Sequence, residues 1–540
     1  FLRLTTTFPF WKKLPVIRFF LWPGDTYLKK NIALSPFCQG KIKNMKTSHR
    51  FSSTEKFLSA ILVCVLLISF AFGQERFRRN PPYPEPLSPL LLPPVEAAVL
   101  SSGMRVVSIT RLNNPIFNLQ VLIQAGEIDS PPELSGLATV TSQMLLRGTL
   151  SLSPSEVEER LETLGIEYYL EVKPDYTLFS FTFLEENLEK ALDLIRLFFY
   201  EPSFSALELT STKRDLYYRL TNRLRDQENA GSDFFLMKLL SGDGFNPGII
   251  DPDLIKKITT KDLVSFHQRL LRPNNTTVIF NGNLNLNNAS RKASQAFSRW
   301  VPKPVERKPV PRLTNRNFDR LYFLEHPGKE MSIVVGNLVS PLHSEDYFPL
   351  LVLNHILGGT TGSRLFLNLR ESKGIAYYAF SELSFFKNYG FFWIRVKTSP
   401  ELGAGVIREI NQELKNLVDN RVEPLELERA KSYLMGNLPL QLQNPDELSK
   451  RVGLLSFFQL PQDFWLKYNQ NVMQVSAERV QEIARKYLTS KPLTVIVGEP
   501  ATALDYLRDF DKIEIYNRKG QFQAIFEKGV LKYENSGMRP

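Results

Sequence analysis

The spacing of apolar residues predicts strands and helices that alternate along two successive stretches of the chain. Apolar helices are predicted at about 134–147 and 346–357, and amphipathic helices at about 186–199 and 401–418. Apolar positions that recur every three to four residues indicate helix, whereas β-branched runs indicate strand. The mixed order of these elements predicts the α+β class.

Two short sequence matches indicate that the stretches are diverged copies. Residues 165–169 (GIEYY) match 374–378 (GIAYY), and 277–282 (TVIFNG) match 494–498 (TVIVG) near the end of each stretch. Self-similarity at similar offsets, with the same order of elements, is typical of an internal duplication. We therefore predict two homologous halves of about 200 residues each.

Proline clusters and changes in composition mark the predicted boundaries. A dense proline and charge cluster lies at 301–312 and another proline cluster at 80–94, and both patterns are typical of linkers. The predicted segments are an upstream segment (1–44), a signal peptide (45–73), a proline-rich lead-in (74–95), an N-terminal half (96–300), a linker (301–317), a C-terminal half (318–500) and a C-terminal extension (501–540). The extension is compatible with added strands or with an irregular tail, and no role is assigned to it.

The first methionine, Met45, opens a pattern that is typical of a signal peptide. A short basic start is followed by the apolar run 57–72 and by Ala71-Phe72-Gly73, a small-x-small cleavage site before Gln74. We expect residues 1–44 to be non-structural upstream sequence and the cleaved protein to be periplasmic or extracellular. Because the apolar run is long for a signal peptide, an uncleaved N-terminal membrane anchor is the alternative.

The net charge of +11 is concentrated near the N-terminus. Residues 1–44 carry eight Lys or Arg and one acid, and residues 45–73 carry three Lys or Arg and one acid. The net charge of the chain after residue 73 is therefore only about +2. A nearly neutral protein gives no electrostatic argument for nucleic-acid binding. Both cysteines, Cys38 and Cys64, precede the expected cleavage site, so no disulfide or thiol chemistry is expected. We expect no stable membrane insertion after signal cleavage.

Residues 136–149 read GLATVTSQMLLRGT. They resemble the segment around the inverted zinc motif H-x-x-E-H of the insulinase/pitrilysin metallopeptidases, but only in the residues that flank the motif. In that motif two histidines, one helical turn apart, ligate zinc and the glutamate is the general base. The motif positions here begin with Thr139 and end with Ser142 and Gln143, which supply neither ligands nor base.

The third zinc ligand of that family is a glutamate roughly 75–80 residues beyond the motif. The matching window, 216–222 (LYYRLTN), contains no carboxylate. The resemblance therefore implies a degenerate zinc site and no metal in this chain. It also implies the fold, which is two metallopeptidase-like α/β sandwich domains, each a mixed sheet with helices packed on it, arranged as half of a clamshell.

The C-terminal half carries a longer match to the same family. Residues 358–377 resemble the second-half signature G-G-x(n)-S-R-L-F-x-x-L-R-E-x-x-G-x-x-Y. In the family an arginine and a tyrosine seven residues apart contact the substrate backbone, and Arg370 and Tyr377 match them. A guanidinium and a phenol could hold a peptide carbonyl and stabilise an oxyanion. Without the resemblance, these residues would be interpreted as an arginine paired with a nearby acid and a core tyrosine.

In bacterial members of the family built from separate subunits, one chain carries the zinc motif and the other carries the Arg/Tyr pair. The mitochondrial processing peptidase pair is similar in architecture. The resemblance thus implies a heterodimer with a homologous, zinc-bearing subunit, a peptide substrate, and zinc on the partner. Two alternatives are an inactive peptide-binding or assembly pseudoenzyme, and an independent hydrolase that uses residues not recognised by sequence.

Four other histidines fall outside this interpretation. The stretch 322–326 imitates the end of a zinc motif, but Tyr322 stands where the first histidine is needed. The stretch is predicted to be a strand, which cannot bring positions i and i+4 together as a helix does. Surface or core packing is the expected role of the others, which are His267, His343 and His355.

Overall fold

The computed structural model describes residues 90–533, apart from 113, 241–247, 308–309, 311–312, 314–317 and 489–490. The predicted upstream segment, the signal peptide with its cleavage site, both cysteines and most of the proline-rich lead-in lie outside the described residues. Within the described ranges, no helix is both long enough and apolar enough to cross a membrane.

A six-stranded mixed sheet forms the first half. Its strands are β1 (Val95–Val99), β2 (Arg105–Thr110), β3 (Ile116–Ile123), β4 (Glu167–Val172), β5 (Thr177–Leu184) and β6 (Thr276–Gly282). They lie in the order β1-β2-β6-β3-β5-β4, with β2 and β6 parallel and the other pairs antiparallel. The helices are α1 (Leu137–Leu145), α2 (Pro154–Thr163), α3 (Leu188–Tyr200), α4 (Ala206–Arg223), α5 (Gln227–Leu240), α6 (Pro252–Ile255), α7 (Thr260–Leu270) and α8 (Leu286–Ala296).

An eight-stranded mixed sheet forms the second half. Its strands are β7 (Leu321–Glu325), β8 (Met331–Val339), β9 (Tyr378–Phe385), β10 (Gly390–Thr398), β11 (Leu493–Gly498), β12 (Lys512–Tyr516), β13 (Phe522–Glu527) and β14 (Val530–Tyr533). The order is β14-β13-β12-β7-β11-β8-β10-β9. The helices are α9 (Tyr347–Gly358), a π-helix (Phe366–Ser372), α10 (Gly403–Asp419), α11 (Pro424–Leu442), α12 (Pro445–Phe457), α13 (Tyr468–Met473), α14 (Ala477–Tyr487) and α15 (Pro500–Ala503).

The two sheets share one topology. Strands β2-β6-β3-β5-β4 of the first sheet correspond in order and direction to β7-β11-β8-β10-β9 of the second. Gly165 and Gly374, which belong to the GIEYY and GIAYY matches, both take left-handed backbone conformations, with φ of 60° and 61°. Glycine adopts this region without the steric cost of a Cβ. The predicted α+β class and its two homologous domains are confirmed.

Each five-stranded core is extended at the same edge. Strand β1 pairs antiparallel with β2, whereas β12 pairs parallel with β7 and carries β13 and β14 beyond it. The C-terminal extension therefore continues the second sheet through residue 533. Of the two possibilities that the sequence left open, this part of the extension forms added strands.

The halves exchange helices. Helix α5, which precedes the linker, packs on β8 and β11 of the second sheet through Phe234 and Phe235. Helix α12, which follows the linker, packs on β3 and β6 of the first sheet, where Gly453 lies against Ile279. The α5 contact is mainly apolar. The α12 contact includes a polar layer in which the carboxylate of Asp446 accepts hydrogen bonds from first-sheet side chains.

Equivalent turns of the two halves also meet. The β4–β5 turn closes with Lys173 N–H donating to the Tyr176 carbonyl (2.8 Å), and the β9–β10 turn has the same bond from Phe386 to Tyr389 (2.8 Å). The carboxylate of Asp175 in the first turn accepts a hydrogen bond from the Lys387 backbone N–H in the second (2.8 Å). Burial raises the pKa of Asp175 to about 6. A desolvated carboxylate thus lies at a junction between the halves.

Candidate functional site

Helix α1 carries the degenerate zinc-motif positions. Gly136, at φ +92°, starts the helix, which packs against α4 and α7. Thr139 and Gln143 are half-buried one turn apart. Ser142 is buried, and its hydroxyl donates to the Ala138 carbonyl within the helix (2.8 Å). The helical geometry of the motif is therefore present, but its positions carry no zinc-ligating side chain, and the Ser142 hydroxyl is bonded within the helix.

The carboxylate of Glu127 caps the start of α1. It accepts hydrogen bonds from the backbone N–H groups of Thr139 (2.7 Å) and Gly136 (3.2 Å), and from the hydroxyls of Thr139 and Ser130. Burial raises the pKa of Glu127, and these hydrogen bonds oppose that shift. A carboxylate at a helix N-terminus satisfies N–H groups that have no partner within the helix. Thr139 thus serves this cap at the position of the first zinc ligand.

The residues present do not fit a zinc ion. The window 216–222, in which the third ligand would be required, lies on α4, and α4 packs against α1. This window contains no carboxylate. Within the described ranges, no group of three or more His, Cys, Asp or Glu side chains is placed to hold a metal. Zinc in proteins is usually held by three or four such ligands. No step of zinc chemistry is therefore assigned to residues of this chain.

Arg370 lies in the π-helix Phe366–Ser372, next to the edge strand β9. Its side chain is exposed, and its Nη1 donates a hydrogen bond to the Ala376 carbonyl oxygen (3.2 Å). No described carboxylate lies within ion-pair distance of Arg370. The neighbouring Arg364, in contrast, forms a bidentate pair with Glu426 at 2.7 Å for both contacts. The alternative expectation of an arginine paired with an acid therefore does not describe Arg370, whereas Arg364 does form such a pair.

The π-helix contains one residue more than the equivalent turn of the first half. Ile166 N–H donates to the Leu161 carbonyl, five positions back, whereas Ile375 N–H donates to the Leu369 carbonyl, six positions back. Both leucines are buried. The added residue follows Leu369, in the segment that contains Arg370. Such one-residue widenings of a helix are frequent at functional sites.

Tyr377 directly precedes strand β9 at the edge of the second sheet. Its backbone N–H donates to the Lys397 carbonyl (2.8 Å), which extends the β9–β10 pairing by one residue. The side chain is 53% exposed, so the expectation of a core tyrosine does not describe it. Ala376, between Arg370 and Tyr377, is buried. Two exposed polar side chains thus stand beside a buried, hydrogen-bonded alanine.

Polar side chains fix the π-helix against α10. The Asn368 amide donates to Glu409 (3.1 Å) and Glu413 (2.8 Å), and Lys373 forms an ion pair with Glu409. These contacts leave the Arg370 guanidinium outside the network. Sequence reasoning did not identify Asn368 or the widened turn. Glu409 and Glu413 lie four residues apart, and so on one face of the predicted helix 401–418. That spacing is the feature of the sequence from which the partners of Asn368 could have been predicted.

Three of the other histidines described by the structure have packing roles, and the fourth, His343, is exposed. His326 follows strand β7, is buried, and its Nε2 lies 3.2 Å from the Leu224 carbonyl. His267 Nε2 lies 3.0 Å from the Phe199 carbonyl, and burial lowers the pKa of this imidazole. His355 stacks on Tyr433, with ring centroids 4.5 Å apart. The predicted strand is confirmed over residues 322–325, and His326 lies just beyond its end.

Two family models match the chain in succession. The model described as Insulinase (Peptidase family M16) matches residues 105–251, and the model described as Peptidase M16 inactive domain matches residues 257–434. The chain belongs to the insulinase family of M16 peptidases, as the sequence predicted. It is an inactive homologue in which the zinc-motif positions carry no ligands.

Similar proteins span most of the chain. "Uncharacterized zinc protease SCO5738" of Streptomyces coelicolor is 22% identical over 75% of this chain and 89% of its own. "Uncharacterized zinc protease YmxG" of Bacillus subtilis is 24% identical over 72% and 94%. Among solved structures, a peptidase M16 inactive domain from Pseudomonas fluorescens aligns with a TM-score of 0.69 and 23% identity, covering 75% and 98%. This structural likeness supports the fold.

Proposed function

We propose that this protein is the non-catalytic subunit of a heterodimeric zinc metallopeptidase. In this proposal Arg370 and Tyr377 contact a peptide that is bound at the zinc site of a homologous partner subunit. Arg370 provides a cation and several N–H donors to a substrate carbonyl, and Tyr377 provides a phenol. Together they help to stabilise the oxyanion that forms in peptide hydrolysis.

The observation that carries the proposal is that the exposed side chain of Arg370 forms no ion pair with a described carboxylate. Its neighbours Arg364 and Lys373 are paired with glutamates, whereas Arg370 is exposed and has the Ala376 carbonyl as its hydrogen-bond partner. An arginine with unused donors at the edge of a sheet is suited to bind an extended peptide backbone. The degenerate positions of α1 support the division of roles, because this chain supplies no zinc ligands.

Export and the zinc-bearing partner belong to the same proposal. The signal-peptide pattern that begins at Met45 supports a periplasmic or extracellular complex, which is membrane-anchored if the pattern is not cleaved. Zinc is then held by the partner alone.

A second candidate function is a peptide-binding or assembly pseudoenzyme. Strand β4 lies at the edge of the first sheet, and its residues Tyr168 and Tyr169 are 52% and 60% exposed. A sheet edge with exposed aromatic side chains can accept an extended segment as an added strand. This candidate requires no zinc-bearing partner.

Mixing with a homologue that retains H-x-x-E-H separates the two candidates. The measurement is cleavage of a fluorogenic peptide library by each chain alone and by the mixture, with zinc content determined for each chain. The proposal predicts negligible cleavage by each chain alone, cleavage by the mixture and zinc only in the homologue. Peptide binding by this chain, with no gain of cleavage on mixing, would support the pseudoenzyme instead. Stoichiometric zinc in this chain alone would refute both and favour an independent hydrolase.

A further inference from the structure

A groove with two compartments runs between helix α7 and the segment 299–303. The basic compartment has a volume of about 570 Å³ and the aromatic compartment about 420 Å³. Val264, Gln268 and Arg272 line both compartments, so the two form one continuous surface. This surface, called the α7 groove below, includes neither Arg370 nor Tyr377.

The basic compartment carries positive charge and no negative charge. Its lining includes Lys261, Arg269, Arg272 and Lys303 and no acidic residue. Arg269 donates to the Asp129 carbonyl (3.0 Å), whereas Lys261, Arg272 and Lys303 form no ion pair with any carboxylate in the described part of the chain. Clustered cations without counter-charges favour an anionic ligand.

Arg272 separates the two compartments and is only partly satisfied. One of its terminal nitrogens donates to the Gln268 carbonyl, but its Nε is buried without a hydrogen-bond partner within the described ranges. Burial also lowers the pKa of this guanidinium. A desolvated donor on a cation is costly unless a ligand supplies an acceptor. Because this Nε is enclosed by protein atoms, an anion in the basic compartment would contact the guanidinium through its terminal nitrogens.

The aromatic compartment has a floor of buried aromatic side chains and an exposed apolar rim, and its one acid, Glu201, lies 3.9 Å from Arg299. Phe199 and Trp300 stack at 5.6 Å, and the Trp300 indole N–H donates to the Leu271 carbonyl (3.0 Å). Phe204 lies at φ +42°, a left-handed conformation that is strained for a non-glycine residue. At the rim, Leu150 is 76% exposed and Val301 is 58% exposed. This rim can contact an alkyl or aromatic group.

We propose that the α7 groove binds an anionic amphiphile of the alkyl phosphate class. The phosphate would be held by Arg272 and Lys303 in the basic compartment, and the apolar chain would lie against Leu150 and Val301 at the rim of the aromatic compartment. A soluble alkyl phosphate and an anionic phospholipid at a membrane surface share this chemistry. The inference rests on the α7 groove alone and is independent of peptide cleavage.

Calorimetric titration of the full chain tests the proposal with three soluble probes: octyl phosphate, inorganic phosphate and octyl glucoside. We expect octyl phosphate to bind about tenfold or more tightly than either of the other two, because it fills both compartments. Equal affinity for inorganic phosphate would contradict the proposal by indicating a simple anion site. Equal affinity for octyl glucoside, or no binding of octyl phosphate, would also overturn it.

Variants locate the site, and vesicles identify the source. Arg272→Gln and Lys303→Gln should each weaken octyl phosphate binding about threefold or more, whereas Arg291→Gln, an exposed cation on α8, should leave it unchanged. Lys303 lies outside regular secondary structure, so Lys303→Gln keeps the test valid if Arg272→Gln does not fold. An equal loss in Arg291→Gln would overturn the proposal. If the protein sediments with phosphatidylglycerol vesicles but not with phosphatidylcholine vesicles, the natural ligand is an anionic phospholipid. If it binds octyl phosphate but sediments with neither kind of vesicle, the natural ligand is a soluble alkyl phosphate.

Discussion

The guanidinium of Arg370 donates a hydrogen bond to the carbonyl oxygen of Ala376, 3.2 Å away. This contact joins the π-helix to the start of strand β9 and leaves the other donors of the guanidinium available. Tyr377 follows Ala376 directly, and its backbone is held by the β9–β10 pairing. The position of Arg370 beside Ala376 depends on the widened turn, because the added residue lies in the segment that contains Arg370. The equivalent turn of the first half has one residue fewer.

Shortening the π-helix should remove the function of Arg370 without unfolding the protein. Deletion of Ser372, an exposed residue, would give the turn the length found in the first half, where the same fold accommodates it. We expect cleavage by the heterodimer to fall about tenfold or more because Arg370 is displaced. The measurement is kcat/KM of the mixture together with Tm of the variant. Ser372→Ala keeps the length of the turn and should keep the activity. Full activity in the deletion variant would show that the widened turn is dispensable.

The cap on α1 predicts a stability effect at Thr139. Thr139→Val keeps the shape of the side chain but removes the hydroxyl that donates to the buried Glu127 carboxylate. We expect a loss of about 1–3 kcal/mol in the free energy of unfolding, because a buried carboxylate loses a donor. Denaturant unfolding measures the loss. Thr139→Ser retains the hydroxyl and should recover most of the loss, and identical stability of the two variants would show that this hydroxyl does not contribute to the cap.

The junction between the halves predicts a stability difference that depends on pH. The pKa of Asp175 is raised to about 6 from its usual 3.8, so this group contributes its full stability below the usual value and loses it as the pH rises through about 6. Asp175→Asn removes the charge and retains an acceptor for the Lys387 N–H. We therefore expect the variant to be more stable than the wild type by about 3 kcal/mol at about pH 8, by roughly half as much at about pH 5, and by almost nothing at about pH 3.

Thermal unfolding of both proteins across this pH range measures the effect. Asp193→Asn provides the control, because Asp193 is exposed and pairs with Arg196 at the surface. A constant difference between Asp175→Asn and the wild type at all pH values would indicate that the carboxylate does not titrate in this range.

The apolar exchange contact predicts opposite effects at two helical glycines. A Cβ on Gly231 of α5 would lie 2.6 Å from Cγ2 of Val497 in the second sheet, whereas a Cβ on Gly436 of α11 would meet no atom within 4 Å. We expect Gly231→Ala to destabilise the protein by about 1–3 kcal/mol through overpacking and Gly436→Ala to stabilise it by about 0.5–1 kcal/mol. Chemical denaturation measures both. Stabilisation by Gly231→Ala would show that α5 is not closely packed on the second sheet.

The fold was largely predictable from local pattern. The apolar helices at 134–147 and 346–357 correspond to α1 and α9, and the duplication agrees with the shared sheet topology. The exchange of α5 and α12 was not predictable, because hydrophobic periodicity identifies the apolar face of a helix but not the sheet that covers it. The pairing of β12 with β7 is likewise a contact between distant segments.

The candidate site was predictable in its residues but not in its geometry. The resemblance identified Arg370 and Tyr377, and their exposure became visible only in the structure. The π-helix has no signature in a single sequence, because its extra residue is apparent only when the hydrogen bonds of Leu161 and Leu369 are compared. Glu127 was not recognised, because its partners, which are backbone N–H groups of α1 and the hydroxyls of Ser130 and Thr139, are brought to it only by the fold.

Kinetics of the reconstituted heterodimer with Arg370→Ala test the central claim most directly. If Arg370 stabilises the transition state on the partner's zinc site, kcat/KM should fall about 100-fold and Tyr377→Phe should lower it about tenfold, with the affinity between the subunits unchanged. Arg408→Ala, an exposed arginine on α10, should have no effect. An unchanged kcat/KM in Arg370→Ala, in a complex that still assembles and cleaves peptide, would contradict the account.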